Sequence, residues 1–314
     1  MDKFIYLNIM AVDLSIEIAG KQFNNPIWTA SGTCGYGEEL SEYFPLKQLG
    51  AIITKSITLD PRKGHPPPRV FETSCGMLNA IGLQNVGLDD FVSSKIPFLK
   101  NKGANIIVNV AGNSIEEYKS ICERLSDYFA DISLIELNMS CPNVVNGMEY
   151  SKDPKAAELL VREVKKSTAI PIIAKLSPNV SDIAEIASAV EQGGADAISM
   201  INTLIGMAVD VETFVPRLSN ITGGLSGPAI KPVAVAMVYR TYKRVNIPIV
   251  GIGGISDYRD VIEFMLCGAS AVQVGTANFI NPLTAVEIIS DIGNWLGERG
   301  YSSPKDIIGK VRDK

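Results

Sequence analysis

One unit repeats along this chain: a short apolar run, a polar loop, then residues spaced like the buried stripe of a helix. The runs fall at 26–32, 51–58, 105–112, 134–142, 171–178, 197–203, 248–255 and 271–277. Helical patterns occupy 37–49, 87–102, 114–130, 154–168, 181–193, 229–245 and 256–268, and 282–299 closes the series. Ser114 with Glu117, Ser181 before Asp182 and Ser256 before Asp257 read as helix starts. Continuous apolar strands alternating with helices imply a parallel sheet covered on both faces. Eight such units fit a closed (β/α)8 TIM barrel, with an open doubly wound sheet as the alternative. The first segment, 12–18, alternates strictly and turns at Gly20, so it reads as an N-terminal β-hairpin lying under the barrel. The whole of 1–314 reads as a single barrel domain, with 1–11 as an extension outside it and Met10 as a second candidate start.

Charge and composition narrow the partners. Twenty-nine basic against 34 acidic residues give a net charge of -5, and no basic run offers a footprint for nucleic acid. The longest apolar stretches have strand length, so none is a membrane span, and the first eleven residues make a poor secretory signal. Five cysteines at 34, 75, 122, 141 and 267 contain no C-x-x-C pair, which argues against a zinc or iron–sulfur site on this chain. Free thiols without a signal point to the cytoplasm. His65 is the only histidine, so neither a histidine-based triad nor a multi-histidine metal site is encoded.

Connection lengths locate the working face. The strand-to-helix loops 59–86, 143–153 and 204–228 are long, while helix-to-strand connections are mostly two to six residues. Barrels work at the carboxyl ends of their strands, and that is where these loops lie. At the ends of strands seven and eight, Gly253, Gly254, Gly275 and Thr276 offer close backbone approach to an anion, as a phosphate site requires. Gly251-Ile-Gly-Gly-Ile-Ser256 lacks the third glycine of a dinucleotide fingerprint, and Gly35-Tyr-Gly37 continues with two glutamates, so a mononucleotide phosphate is the better fit.

The remaining strand ends carry Ser31, Lys55 with Ser56, Asn109, Asn138 with Cys141, Lys175, and Asn202 with Thr203. A lysine inside an apolar strand is costly unless it is paired or binds something. Two of them at one mouth suggest an anionic or electron-rich ligand, and the asparagines suit a flat heterocycle edged with C=O and N–H groups. Cys141 has no histidine to activate it as a nucleophile, which leaves a thiolate acting as general base. Cys122 and Cys267 read as small core residues, Cys34 and Cys75 as bystanders in loops near the mouth.

Asn138-Met-Ser-Cys-Pro-Asn143, together with Lys55-Ser56, Asn79-Ala-Ile-Gly-Leu83, Asn202-Thr203, Gly251-Ile-Gly-Gly254 and Val274-Gly-Thr276, resembles the class 1 dihydroorotate dehydrogenases over about 12–310. The resemblance implies an FMN-bound barrel that oxidises dihydroorotate to orotate in pyrimidine synthesis, with Cys141 removing the C5 proton while the C6 hydride passes to the flavin. It implies substrate contacts from Lys55, Asn79, Ala80, Ile81, Gly82, Leu83, Asn138, Asn202 and Thr203. It implies an FMN shell of Ser31, Lys55, Ser56, Asn109, Asn138, Lys175, Ile201, Gly227, Gly253, Gly254, Gly275 and Thr276. The membrane-bound class 2 enzymes use serine as base and carry an amino-terminal membrane segment; this sequence shows neither feature. Val144-Val-Asn-Gly-Met-Glu-Tyr150 is most similar to class 1B catalytic subunits. That class implies a homodimeric core joined to a partner subunit with FAD and an iron–sulfur cluster, a heterotetramer that passes electrons to NAD. A class 1A homodimer using fumarate, a dihydropyrimidine dehydrogenase domain (where Pro-His usually follows the cysteine), and a non-catalytic barrel binding a phosphorylated ligand are the alternatives.

Overall fold

The structure is a computed structural model that describes residues 12–140, 144–145 and 148–312. Eight parallel strands form the central sheet: β1 (Ile27–Thr29), β2 (Ile52–Ile53), β3 (Ile106–Val110), β4 (Ile132–Asn138), β5 (Ile172–Leu176), β6 (Ala197–Met200), β7 (Ile249–Ile252) and β8 (Ala269–Val274). Their order is β1-β8-β7-β6-β5-β4-β3-β2. The ring closes between β1 and β2, where Thr29 N–H donates to Ala51 O at 3.2 Å and Gly50 N–H to Ile27 O at 2.9 Å. Each anticipated apolar run supplies one of these strands.

Their near-continuous hydrophobicity follows from burial on both faces. In β3, Ile106, Val108 and Val110 pack outward with the helices, while Ile107 joins the interior cluster. β4 and β5 repeat the pattern, with Leu134 and Ile173 inward. Two residues further along each strand, the same inward direction is taken by Asn109, Glu136 and Lys175. The barrel interior thus changes from hydrocarbon to polar groups within one side-chain layer.

The lower end is sealed by the anticipated hairpin, Ile16–Ile18 paired with Lys21–Phe23. Ala19 and Gly20 turn it with positive φ values of 54° and 74°, as a two-residue hairpin turn requires. Strand alternation then sends Ile16, Ile18 and Phe23 into the bottom layer, where the Phe23 and Trp28 ring centroids lie 4.7 Å apart. Removing side chains of this size from water stabilises the fold by about 1.5–3 kcal/mol each.

The outer helices include Ile115–Ser126, Pro154–Lys165, Ile183–Gln192, Lys231–Tyr242, Tyr258–Leu266 and Thr284–Glu298. Two expectations need correction, and one feature was not anticipated. The pattern at 37–49 forms only two short 3-10 turns, Leu40–Glu42 and Leu46–Gln48, because Pro45 interrupts it and cannot donate to a helical ladder. Two helix starts sit one residue later than anticipated: Asp182 and Asp257 accept the first helical amides, rather than Ser181 and Ser256. Ser114 does cap its helix, accepting from Glu117 N–H. The long loops after β2 and β6 are also not irregular. They pair with each other as a four-stranded antiparallel sheet, in the order Leu204–Met207, Thr222–Ser226, Gly76–Asn79, Val70–Thr73. Among the described residues no helix is long and apolar enough to cross a membrane.

Candidate functional site

A cavity of about 580 Å³ opens at the carboxyl ends of the strands, walled on one side by the four-stranded loop sheet. Its lining brings together Lys55, Asn79, Ala80, Ile81, Gly82, Leu83, Asn138, Asn202 and Thr203, all nine of the anticipated substrate contacts. Of the anticipated cofactor shell, Ser31, Lys55, Ser56, Asn138, Lys175, Ile201, Gly227, Gly253, Gly254, Gly275 and Thr276 line the same space. Asn109 does not; fully buried, it lies outside the lining and donates to Glu136 at 2.6 Å. Cys141 lies outside the described residues, one position beyond Ser140, which lines the cavity.

Charge in this cavity has one sign. Among the described lining residues the charged side chains are Lys55, Lys152 and Lys175, with no carboxylate among them. The two strand lysines are held differently. Lys175 Nζ sits 3.4 Å from Glu136 Oε1, an ion pair with side chains 7% and 0% exposed. Burial, with the charge of Arg69 adding to it, lowers Lys55 below the ordinary lysine value. The backbone sets this difference. β2 peels away after Thr54, and the Lys55 amide turns to Gly35 O in the loop after β1.

Carboxamides link the other strand ends into one chain. Asn138 donates to Ser56 Oγ at 3.4 Å, and Asn202 donates to Asn138 Oδ1 at 3.3 Å and to Ser140 Oγ at 2.9 Å. Asn202 Oδ1 accepts from Thr203 N–H. Asn179 then ties Thr203 and Ile205 together, donating to Thr203 O and accepting from Ile205 N–H. Sequence reasoning passed over Asn179, Ser140 and Ser177, although each is a polar residue just past a strand end, the signal that had identified the others. The sole histidine is a brace: His65 Nδ1 is 3.0 Å from Ala80 O, and its backbone N–H donates to Ile81 O, holding the loop 79–83 against the cavity.

At the glycine-lined end, Gly254 has φ +71°, and a Cβ there would stand 2.8 Å from Gly227 O. No side chain fits between these two turns, which leaves their backbone exposed to a ligand. The start of the Tyr258–Leu266 helix, by contrast, is already occupied. Asp257 and Asp260 together accept from the amides of Ser256, Asp257, Arg259 and Asp260. Lys231 beside it is held well above the ordinary lysine range by hydrogen bonds to Asp260 and Glu263. At the neighbouring Gly275–Thr276 turn, Thr276 Oγ1 donates to Ser226 Oγ at 2.9 Å. Two of the other thiols are made unreactive by burial, which pushes Cys34 up to about 11 and encloses Cys122 within its helix, whereas Cys75 is exposed in the turn between Val70–Thr73 and Gly76–Asn79.

Comparison with known proteins agrees with this geometry. The family model for dihydroorotate dehydrogenase matches residues 13–296. The chain is 53% identical over 300 residues to the dihydroorotate dehydrogenase B (NAD(+)) catalytic subunit of Geobacter sulfurreducens, covering 95% of this chain and 98% of that one. It is 52% identical to the protein of that name from Geotalea daltonii, with 96% and 98% covered, and 51% identical to that of Desulforamulus reducens, with 96% and 99% covered. On both grounds the chain belongs to the dihydroorotate dehydrogenase family.

Proposed function

We propose that this chain is the catalytic subunit of an NAD(+)-linked dihydroorotate dehydrogenase, oxidising (S)-dihydroorotate to orotate in de novo pyrimidine synthesis. The observation that carries the reading is the cavity itself: an all-cationic lining, a chain of carboxamides and a side-chain-free turn at one end. That donor set fits FMN, with the phosphate at Gly253, Gly254, Gly275 and Thr276 and Lys175, Ser31, Ser56, Ile201 and Gly227 along the rest of the cavity. Bound FMN would supply the two-electron acceptor that the chain's own side chains lack.

The residues divide the work. Lys55 offsets the substrate carboxylate, an attraction strengthened by its own dehydration. Asn79, Asn138, Asn202 and Thr203 match the ring amides; Asn138, Asn202 and Thr203 are held by hydrogen bonds to one another, and Asn79 by one to Gly224 O. The loop 79–83 and the four-stranded sheet keep water from the ring. Cys141, three residues after Asn138, takes the C5 proton. The sequence carries no cluster-binding cysteine spacing and no dinucleotide fingerprint, so electrons leave through a partner protein or a small diffusible acceptor; the relatives' name, an NAD(+)-linked catalytic subunit, favours a partner subunit, carrying FAD and an iron–sulfur cluster in a heterotetramer built on a homodimer.

Colour tests this directly. The purified protein should be yellow and should bleach anaerobically on addition of dihydroorotate. Yellow protein that dihydroorotate cannot bleach would retain the flavin and refute the substrate. Cys141→Ala should keep the colour and slow flavin reduction by about a hundredfold or more, the scale of a lost general base; an unchanged rate removes the thiol from the reaction.

A further inference from the structure

Directly beneath the cavity a carboxylate is buried that the proposed reaction does not use. Glu136, on β4, is 0% exposed. Four side chains from four other strands converge on its two oxygens. Asn109 of β3 donates to Oε1 at 2.6 Å, and Lys175 of β5 approaches the same oxygen at 3.4 Å. Ser199 of β6 donates to Oε2 at 2.7 Å, and Gln273 of β8 at 2.6 Å. Every neighbour presents a donor, an arrangement that suits an acceptor-only carboxylate.

The amide orientations show how strongly that charge organises its surroundings. Asn109 Oδ1 and Gln273 Oε1 are buried with no partner among the described residues. Turning either amide around would point its oxygen at the carboxylate, and the structure keeps the nitrogens there instead. Lys175 is the one cation in the cluster, and it is also the member that reaches the cavity. The other charged groups lining the cavity, Lys55 and Lys152, are cations too.

We propose that Glu136 is a positioning residue for this cavity, a buried counter-charge that keeps the Lys175 amine protonated and held at the cavity floor, where it meets the bound flavin. Asn109, Ser199 and Gln273 hold the carboxylate. The inference rests on the proposed function only for the flavin; the state of Lys175 is measurable without it.

The test is competitive acetylation of the apoprotein with acetic anhydride, which modifies only unprotonated amines, followed by peptide mapping. Lys175 should label about tenfold more slowly than the exposed Lys100, and Glu136→Gln should raise its rate at about pH 8 by about tenfold while Lys100 stays unchanged. Glu136→Asp, which keeps the charge on a shorter arm, should fall between the two. A Lys175 rate in Glu136→Gln within about twofold of the parent overturns the proposal. If Glu136→Gln does not fold, the parent decides: Lys175 labelling as fast as Lys100 at about pH 8 overturns the proposal. In FMN titrations, the dissociation constant of Glu136→Gln should rise about tenfold between about pH 7 and about pH 9 while the parent's moves less than about twofold. A pH-independent constant in Glu136→Gln counts against the proposal. A parent that binds no FMN refutes the flavin reading, and the acetylation still decides the role of Glu136.

Discussion

The two ends of the barrel interior are built from the same eight strands and obey opposite rules. At the bottom, Trp28, Ile53, Ile107, Leu134, Ile173 and Val250 meet the hairpin's Ile16, Ile18 and Phe23 in one dry cluster. At the mouth, the inward positions hold lysines, carboxamides and hydroxyls, many of them bonded to each other. The lower end yields stability from area removed from water. The upper end gives up some of that stability to hold polar groups ready for a ligand. A mutation should therefore report which end it touches by whether it moves unfolding or binding.

The largest effect belongs to the bottom. Trp28→Ala removes the largest fully buried side chain and should cost about 3–5 kcal/mol in urea unfolding. Ligand affinity of the fraction that remains folded should hold within about twofold, since Trp28 lies in the dry lower cluster and does not line the cavity. A parallel loss of affinity and stability would break the division between the ends.

Asn202→Ala inverts the pattern. Its amide links Asn138 and Ser140 and orients the Thr203 backbone, all at the cavity wall. Losing it should lower kcat/KM for dihydroorotate by about a hundredfold, the loss of a buried hydrogen-bond partner to the ring. Unfolding should shift by less than about 0.5 kcal/mol, because the freed partners face an open cavity and can bind water. A destabilisation comparable to that of Trp28→Ala would make the carboxamide chain a structural device first.

The same contrast explains what the sequence disclosed. Strands buried on both faces must be apolar along their length, so each declared itself, and a lysine or asparagine within such a run marked the mouth. Residues 37–49 carry a helical stripe that Pro45 forbids, a local veto which periodicity does not register. The four-stranded sheet over the mouth was hidden because its partners lie far apart in sequence: Asn79 bonds Gly224 O across 145 positions. Its central strand, Thr-Gly-Gly-Leu-Ser, has no alternation to read, because Gly224 must lack a side chain to lie against Thr203, whose Oγ1 would stand 2.1 Å from a Cβ. Asn179 went unnoticed because it acts on Thr203 and Ile205 from a different strand end. Glu136 lies within the run that ends in Asn138, but its role depends on four other strands meeting it, and no single segment of sequence contains that meeting.

The smallest expected change in stability belongs to Lys55 and tests what the mouth gives up. Lys55 is dehydrated with no carboxylate among its causes of shift, only the like charge of Arg69 and the thiol of Cys34, and its proton is held less tightly than the ordinary 10.5. The unfolded chain keeps that proton up to about 10.5, while the folded chain releases it at lower pH. Between those values the unfolded state binds more protons, so stability contributed by this group rises with pH through the window and the penalty is greatest below it. Lys55→Met should therefore leave the apoprotein as stable as the parent or slightly more so at pH 7, by about 0.5 kcal/mol, and the difference should shrink as the pH rises toward 10.5. The same substitution should abolish measurable dihydroorotate binding, since the dehydrated ammonium is what a carboxylate relieves. Urea unfolding of both proteins at three pH values, beside an orotate titration, reads the two effects separately. A Lys55→Met variant that is less stable at neutral pH would mean that the mouth holds this charge at no cost, and the opposition between the barrel's ends would then rest on the hydrogen-bonded amides alone.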